Sequence, residues 1–394
     1  MWQISKQTLW LWTAGSFFAF FVFGFSDNLK GATIPALLRD LGFSYSIGGT
    51  VLLGLYIGFL VATLLAGLLA DVAGKRIVLL LAGLCLLAGI SGFSLSSDFW
   101  PLALSMLVVG FGLGAIELGA NNMIVELHPA QKARYLNLMS VLHGLGSMLA
   151  PLYAGLLLSS GFSWRLVYQG SLVLAGILVA YSLLVRYPRE MERKSETISL
   201  PKVLSAAFSG AMGWYYFLIA IYVSTEIGVA SWMVEFLQTS KGLEIGLSTQ
   251  MLSLYFGLMM VGRFGGSFFI ERVGYLKVML LSSLAAFVSL GLGIFGPGAL
   301  FFFLPLSGLF LSILFPTITA AVSDQHTENQ GSILGLLFTF AGVGGMVGPW
   351  LAGLTSDLLG LQLGFGIVLI FCALMIAALL ILFSQETHTK EQER

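Results

Sequence analysis

Charge is what this sequence has least of. Only 10% of its 394 residues are Asp, Glu, Lys or Arg, well under the roughly 25% of an ordinary soluble domain. Nineteen basic and nineteen acidic residues cannot give a chain of this length a charged skin. Their balance leaves no basic footprint for nucleic acid. Cysteine is nearly absent: Cys85 and Cys372 both lie in apolar runs with no CxxC or Cys/His spacing, so neither a zinc site nor a disulfide scaffold is expected. HExxH is missing, and so is a P-loop, which leaves no motif for a metalloprotease or for ATP as the driving force. An intramembrane serine protease needs a GxSG serine with a partner histidine, and that motif is read as absent. No enzymatic activity and no cofactor are expected.

What is abundant is apolar surface. Hydrophobic residues make up 57% of the chain and glycine contributes 48 positions. The bilayer is then the main solvent, and the glycines suit membrane helices that approach closely. A helix needs about 20 apolar residues to cross the hydrocarbon core. Twelve runs qualify, at roughly 9–38, 47–70, 77–95, 101–124, 135–159, 165–186, 211–237, 247–270, 276–296, 299–322, 331–355 and 361–383. The first is too long for a signal-peptide core and lacks a small-residue cleavage site, so it reads as span one. Period-2 alternation is missing, which argues for helices over a membrane barrel.

With both termini in the cytoplasm, the inside segments hold Lys6, Lys75, Arg76, Lys132, Arg134, Arg186, Arg189, Arg193, Lys194, Lys202, Arg272, Lys277, Lys390 and Arg394. The outside loops hold only Arg39, Arg165 and Lys241. Fourteen against three sets that orientation. The longest polar stretch, 187–207, falls at the middle of the chain. The expected organisation is a six-helix bundle over 1–186, a cytoplasmic linker over 187–207, and a second bundle over 208–394 with a short cytoplasmic tail.

The halves repeat weakly at an offset near 199. Gly146, Pro151 and Gly155 in span five recur as Gly344, Pro349 and Gly353 in span eleven. Asp71 with Gly74 recurs as Glu271 with Gly274, and Asp27 of span one as Glu226 of span seven. Repeated halves are the build of alternating-access carriers, with the substrate site near the midplane. Pro35, Pro151, Pro316 and Pro349 interrupt spans and serve either as hinges or as static kinks.

Between spans two and three, Gly67-Leu-Leu-Ala-Asp71-Val-Ala-Gly74-Lys75-Arg76 resembles the GxLaDrxGrr signature of the major facilitator superfamily. Val72 departs from it. The second-half copy, Glu271-Arg272-Val-Gly274, keeps the basic residue. The resemblance implies twelve helices in two pseudo-symmetric six-helix bundles. It also implies that this loop latches an inner gate, which assigns Gly67, Asp71, Gly74, Lys75, Arg76, Glu271 and Arg272 to gating. A generic charged turn is the bland alternative. Arg263, in the inner half of span eight, is placed with the gate.

Within that superfamily the chain is similar to the fucose–proton symporter family and related sugar transporters. Span four carries Gly112-Leu-Gly114-Ala-Ile-Glu117-Leu-Gly-Ala-Asn121-Asn122, where Glu117 falls on the acid that family protonates and Asn122 replaces a proline. Gly24-Phe-Ser-Asp27-Asn28-Leu29, Leu136-Asn137-Leu138 with His143, and Tyr222-Val-Ser-Thr-Glu226 through Trp232 resemble further segments. The likeness implies proton-coupled symport of a monosaccharide or similar small polar solute, by a monomer in the lipid of an inner membrane. Glu117 and Asp27 then couple protons. Asn28, Lys30, Asn121, His143, Tyr222, Glu226 and Trp232 contact substrate.

Ionisable groups within a span are costly, so Asp27, Lys30, Glu117 and Glu226 each need a reason. Asp27 and Lys30 are three apart and share a helix face. They read either as a mutually neutralising pair or as a functional site. Glu117 has no base within a turn, and Asn121 lies on its face. It is either a proton carrier or a permanently protonated core acid. Glu226 and His143 read as site residues or as packing hydrogen-bonders. Tyr222 and Trp232 stack on a sugar or face lipid. Two rivals on the same fold remain, sodium-coupled sugar uptake and proton-coupled export of drugs or lysolipids. Drug antiporters carry an Arg in span four where this chain has Val108, and a Gly-Pro in span five where it has Ala150-Pro151.

Overall fold

The computed structural model describes residues 6–185, 211–266, 268, 270–325 and 330–392. Side chains are described for these except at 6–7, 64, 66–73, 133, 271, 330–332 and 386–392. The linker 187–207 and its neighbours lie outside the described residues.

Among the described residues, 12 helices are long and apolar enough to cross a membrane. They are α1 Lys6–Leu41, α2 Tyr45–Ala73, α3 Lys75–Leu95, α4 Phe99–Leu127, α5 Lys132–Ser159 and α6 Trp164–Leu184. The second set is α7 Met212–Thr239, α8 Ile245–Gly266, α9 Tyr275–Phe295, α10 Gly298–Gln325, α11 Gln330–Leu359 and α12 Leu361–Gln385. All twelve expected spans are present, each with ends shifted by a few residues. The fold is all-helical because hydrocarbon offers backbone groups no partner outside their own helix.

The prolines do not behave alike. Pro35, Pro151 and Pro349 sit inside continuous helices, which leaves both hinge and static kink open at those places. Among the described residues α12 divides at Gly366 into Leu361–Phe365 and Ile367–Gln392, and α10 is broken further. It runs as a 3-10 turn Gly298–Phe302, then Phe303–Leu311, then Leu314–Gln325. Pro316 has no N–H for the Ser312 carbonyl four residues back, so the ladder loses a rung beside the break.

The chain forms two compact units. Unit 1 is Met1–Phe43, Thr50–Glu196 and Ile245–Ser253; unit 2 is Ser44–Gly49, Thr197–Glu244 and Leu254–Arg394. The two short segments depart from a simple division into halves. Unit 2 includes the first turn of α2, whose Tyr45 and Ser46 N–H groups donate to the Asp357 carboxylate at 3.0 and 2.8 Å. A carboxylate there satisfies orphan donors and meets the positive end of the helix dipole. Unit 1 includes the first turns of α8, where Ser253 donates to the Met148 carbonyl at 2.7 Å.

In unit 1, α1 packs along α5, and α3 lies against α4 and α6. A methyl group on Gly24 would collide with the His143 carbonyl, and one on Gly146 with that of Phe21, so these glycines set how close α1 and α5 come. In unit 2, α7 packs along α11 in the same manner. There Gly344 and Gly348 face the backbone at Ala220 and Ser224.

Candidate functional site

Unit 1 holds a closed ion pair. Lys30 Nζ lies 2.5 Å from Asp27 Oδ1 and 2.6 Å from the Asp27 carbonyl oxygen. The ammonium also lies over the Tyr56 ring, 5.2 Å from its centre. Both residues are buried. The i, i+3 spacing brought them together, as the sequence implied. Next to them, Asn28 spends both amide hydrogens, on Gly24 O and Ser147 Oγ, each at 2.9 Å. It ties α1 to α5 and keeps only its carbonyl oxygen for a ligand.

Glu117 is different. It is half-buried on α4, and Asn121 Nδ2 donates to its Oε1 at 3.0 Å. That amide is its one bonded partner among the described residues. His143 is half-buried on α5 with its ring edge-on to Phe23, centres 4.7 Å apart.

Unit 2 carries the second charged cluster. Arg263 Nη2 lies 3.7 Å from Glu226 Oε1. Arg263 Nε donates at 3.4 Å to the Ser312 carbonyl, the group Pro316 leaves without its helical donor. Arg263 thus reaches the span-seven acid, where the sequence placed it with the gate. Tyr222 is buried with its ring 6.3 Å from that of Phe315. Trp232 is fully buried, donates from Nε1 to the Pro349 carbonyl at 2.9 Å and meets the Tyr45 ring edge-on. It packs α7 on α11 and faces neither lipid nor open space.

Of the gating residues, Gly74 and Gly274 match closely. Each caps the helix that follows, at φ 86° and φ 96°, a region that favours glycine. Lys75 pairs with Glu126, and Arg76 donates to the Ser182 and Leu183 carbonyls at the end of α6, at 2.8 and 2.7 Å. The second half repeats the first of these contacts without charge on the donor: Tyr275 donates to Asp324 at 2.9 Å. Arg272 is exposed. Gly67, Asp71 and Glu271 fall outside the residues whose side chains are described.

Sequence reasoning missed several groups. Glu235 is a further charge within a span, buried on α7, where it accepts from Thr239 and Tyr45 at 2.8 and 3.2 Å. Its place within the 211–237 run was the available signal. Asp40 takes the Trp164 indole N–H at 3.0 Å and pairs with Arg165. One exclusion also needs amending. The GxSG spacing is present, at Gly89-Ile-Ser91-Gly92 on α3. Ser91 has no histidine bonded to it among the described residues, so the serine–histidine constellation is still not assembled there.

These features define a polytopic helical membrane protein with ionisable groups buried in both units. The profile of the Major Facilitator Superfamily matches residues 16–296 and again 203–394. The chain belongs to that superfamily. It is 27% identical over 372 residues to a glucose/galactose transporter of Brucella abortus biovar 1 (strain 9-941), covering 88% of each chain. Among solved structures, the nucleoside transporter NupG superposes with a TM-score of 0.77 at 16% identity, over 96% of this chain and 99% of that one. FucP in its outward conformation superposes with a TM-score of 0.65 at 19% identity, over 94% of this chain and 98% of that one. The expected superfamily and its fold are borne out.

Proposed function

We propose that the chain is a secondary transporter that moves a neutral monosaccharide together with protons by alternating access. The likeness to the Brucella glucose/galactose transporter over 88% of both chains carries the substrate class. The half-buried Glu117, bonded to Asn121 and to no base among the described residues, supports the coupling ion. A carboxyl in that setting takes and releases a proton as water reaches it, and intramembrane acids commonly serve as proton relays. Asp27 is the second coupling candidate. Asn28, Lys30, Asn121, His143, Tyr222 and Glu226 are the polar or aromatic groups offered to substrate. Lys75 and Arg76 are placed to stiffen the inner ends of α3, α4 and α6, as a gate requires. Trp232 serves the site by holding α7 against α11.

The protein works as a monomer in the cytoplasmic membrane, with both termini and the 187–207 linker on the cytoplasmic side. Uptake into proteoliposomes decides the reading. Hexoses, drugs and lysolipids are offered under an imposed proton or sodium gradient. Proton-driven accumulation of a hexose is the expected result. Sodium dependence would move the coupling ion, and drug or lysolipid movement without sugar uptake would overturn the substrate class.

A further inference from the structure

Glu226 and Arg263 are drawn together but not closed. Their 3.7 Å separation lies beyond the roughly 2.7–3.2 Å of an N–H···O hydrogen bond, whereas Lys30 and Asp27 meet at 2.5 Å. The Arg263 side chain keeps 35% of its surface exposed and that of Glu226 keeps 14%, against 4% for Lys30. Charges at membrane depth face a protein interior or a water-filled cavity, so that exposure marks space a polar solute can enter.

The gap is held in shape. The Ser312 carbonyl faces Arg263 Nε at 3.4 Å, a long contact that orients the guanidinium without closing on it. Among the described residues Nη1 has no partner. The buried Tyr222 hydroxyl lies beside Glu226 and within electrostatic reach of Arg263, which adds a further polar group to the cluster. Unused donors and a strong acceptor therefore converge within one unit of the fold.

Building on the sugar-transport reading, we infer that the Glu226–Arg263 gap is a hydroxyl-reading subsite. One sugar hydroxyl sits between the two side chains, donating to Glu226 and accepting from Arg263. Arg263 is then a substrate-contacting, specificity-determining residue and not a gate residue. The chemistry selects the ligand class. A hydroxyl is donor and acceptor at once, whereas a carboxylate only accepts and an ammonium only donates. A uronate would satisfy Arg263 and meet Glu226 with like charge. An amino sugar would do the reverse. A deoxy sugar would separate the pair and satisfy neither group, and sites built to bond a hydroxyl reject such analogues strongly.

The test measures binding to the purified full-length protein by calorimetry. The ligands are D-galactose, D-glucose, their 2-, 3-, 4- and 6-monodeoxy forms, and D-galacturonate. For the wild type, one deoxy position is expected to weaken binding about tenfold or more, and galacturonate to bind worse than galactose. In Arg263→Met and Glu226→Gln that one penalty is expected to shrink to about threefold or less, while penalties at the other positions persist. Thermal unfolding confirms that each variant is folded. Arg263→Lys keeps the charge but loses the planar guanidinium donors that face Glu226, so it gives the same readout should the methionine variant not fold. An unchanged pattern of deoxy penalties in the folded variants would overturn the subsite while leaving sugar transport intact. Galacturonate binding as tightly as galactose would overturn it too. No sugar binding by folded wild type would instead sink the transport reading on which the subsite rests.

Discussion

Lys30 closes on Asp27 twice, at 2.5 Å through the carboxylate and at 2.6 Å through the main-chain carbonyl of the same residue. The second-half acid has a looser partner, drawn from a neighbouring helix rather than its own. The repeat therefore preserves an acid at 27 and 226 but not its setting. One acid is neutralised locally within a single turn. The other is left beside a guanidinium with donor capacity to spare.

The closed pair makes a stability prediction. Breaking a buried pair by removing one partner costs about 3–5 kcal/mol, because the remaining charge is uncompensated. Asp27→Asn alone should therefore lower the thermal midpoint in detergent. Asp27→Asn with Lys30→Met should recover it. Sugar uptake by the recovered double variant separates the two roles: loss is expected if Asp27 couples protons, and restored uptake would reduce the pair to scaffolding.

Glu117→Gln retains the shape of the protonated acid and can still bond Asn121. It should fold and bind substrate. Uphill accumulation driven by a proton gradient should be lost, while substrate exchange across the membrane survives because exchange needs no deprotonation. Proton-driven accumulation at near the wild-type rate would move coupling to Asp27, Glu226 or His143.

Gly74 and Gly274 hold positive φ at equivalent places, the starts of α3 and α9. A Cβ in the left-handed region costs roughly 1–2 kcal/mol. Gly74→Ala and Gly274→Ala should each reduce stability by that order, and additively, because they lie in different units. Chemical or thermal unfolding of both single variants and the double checks this. A neutral Gly274→Ala would show that only the first copy of the turn is under backbone constraint.

Asp357 receives two N–H groups from the start of α2. Removing a helix cap costs about 0.5–2 kcal/mol. Asp357→Ala should destabilise by that amount, and Asp357→Asn by less, since the amide oxygen still accepts. Equal losses for both variants would mean that charge, rather than hydrogen bonding, carries the contact.

Orientation has its own check. A single cysteine at position 195, within the polar stretch 187–207, should resist a membrane-impermeant thiol reagent in intact cells. Labelling from outside would reverse the assigned topology.

The spans were legible in the sequence because a bilayer imposes one local requirement, a run of apolar residues long enough to cross it. The positions of Gly74 and Gly274 were legible for a similar reason, since a tight turn between two spans needs a residue free to take positive φ. The Asp27–Lys30 pair followed from helical spacing alone. The contacts of Arg263 did not. Nothing in the order of residues says that a carbonyl released by Pro316 lies beside span eight, or that Glu226 lies on the other side of the same guanidinium. Asp357 on the first turn of α2 and Trp232 on the Pro349 carbonyl were equally invisible, each joining residues more than a hundred positions apart. Sequence fixes what the solvent demands of each segment. Which polar groups satisfy one another across helices is decided by packing, because a buried donor takes the acceptor that the fold brings within reach.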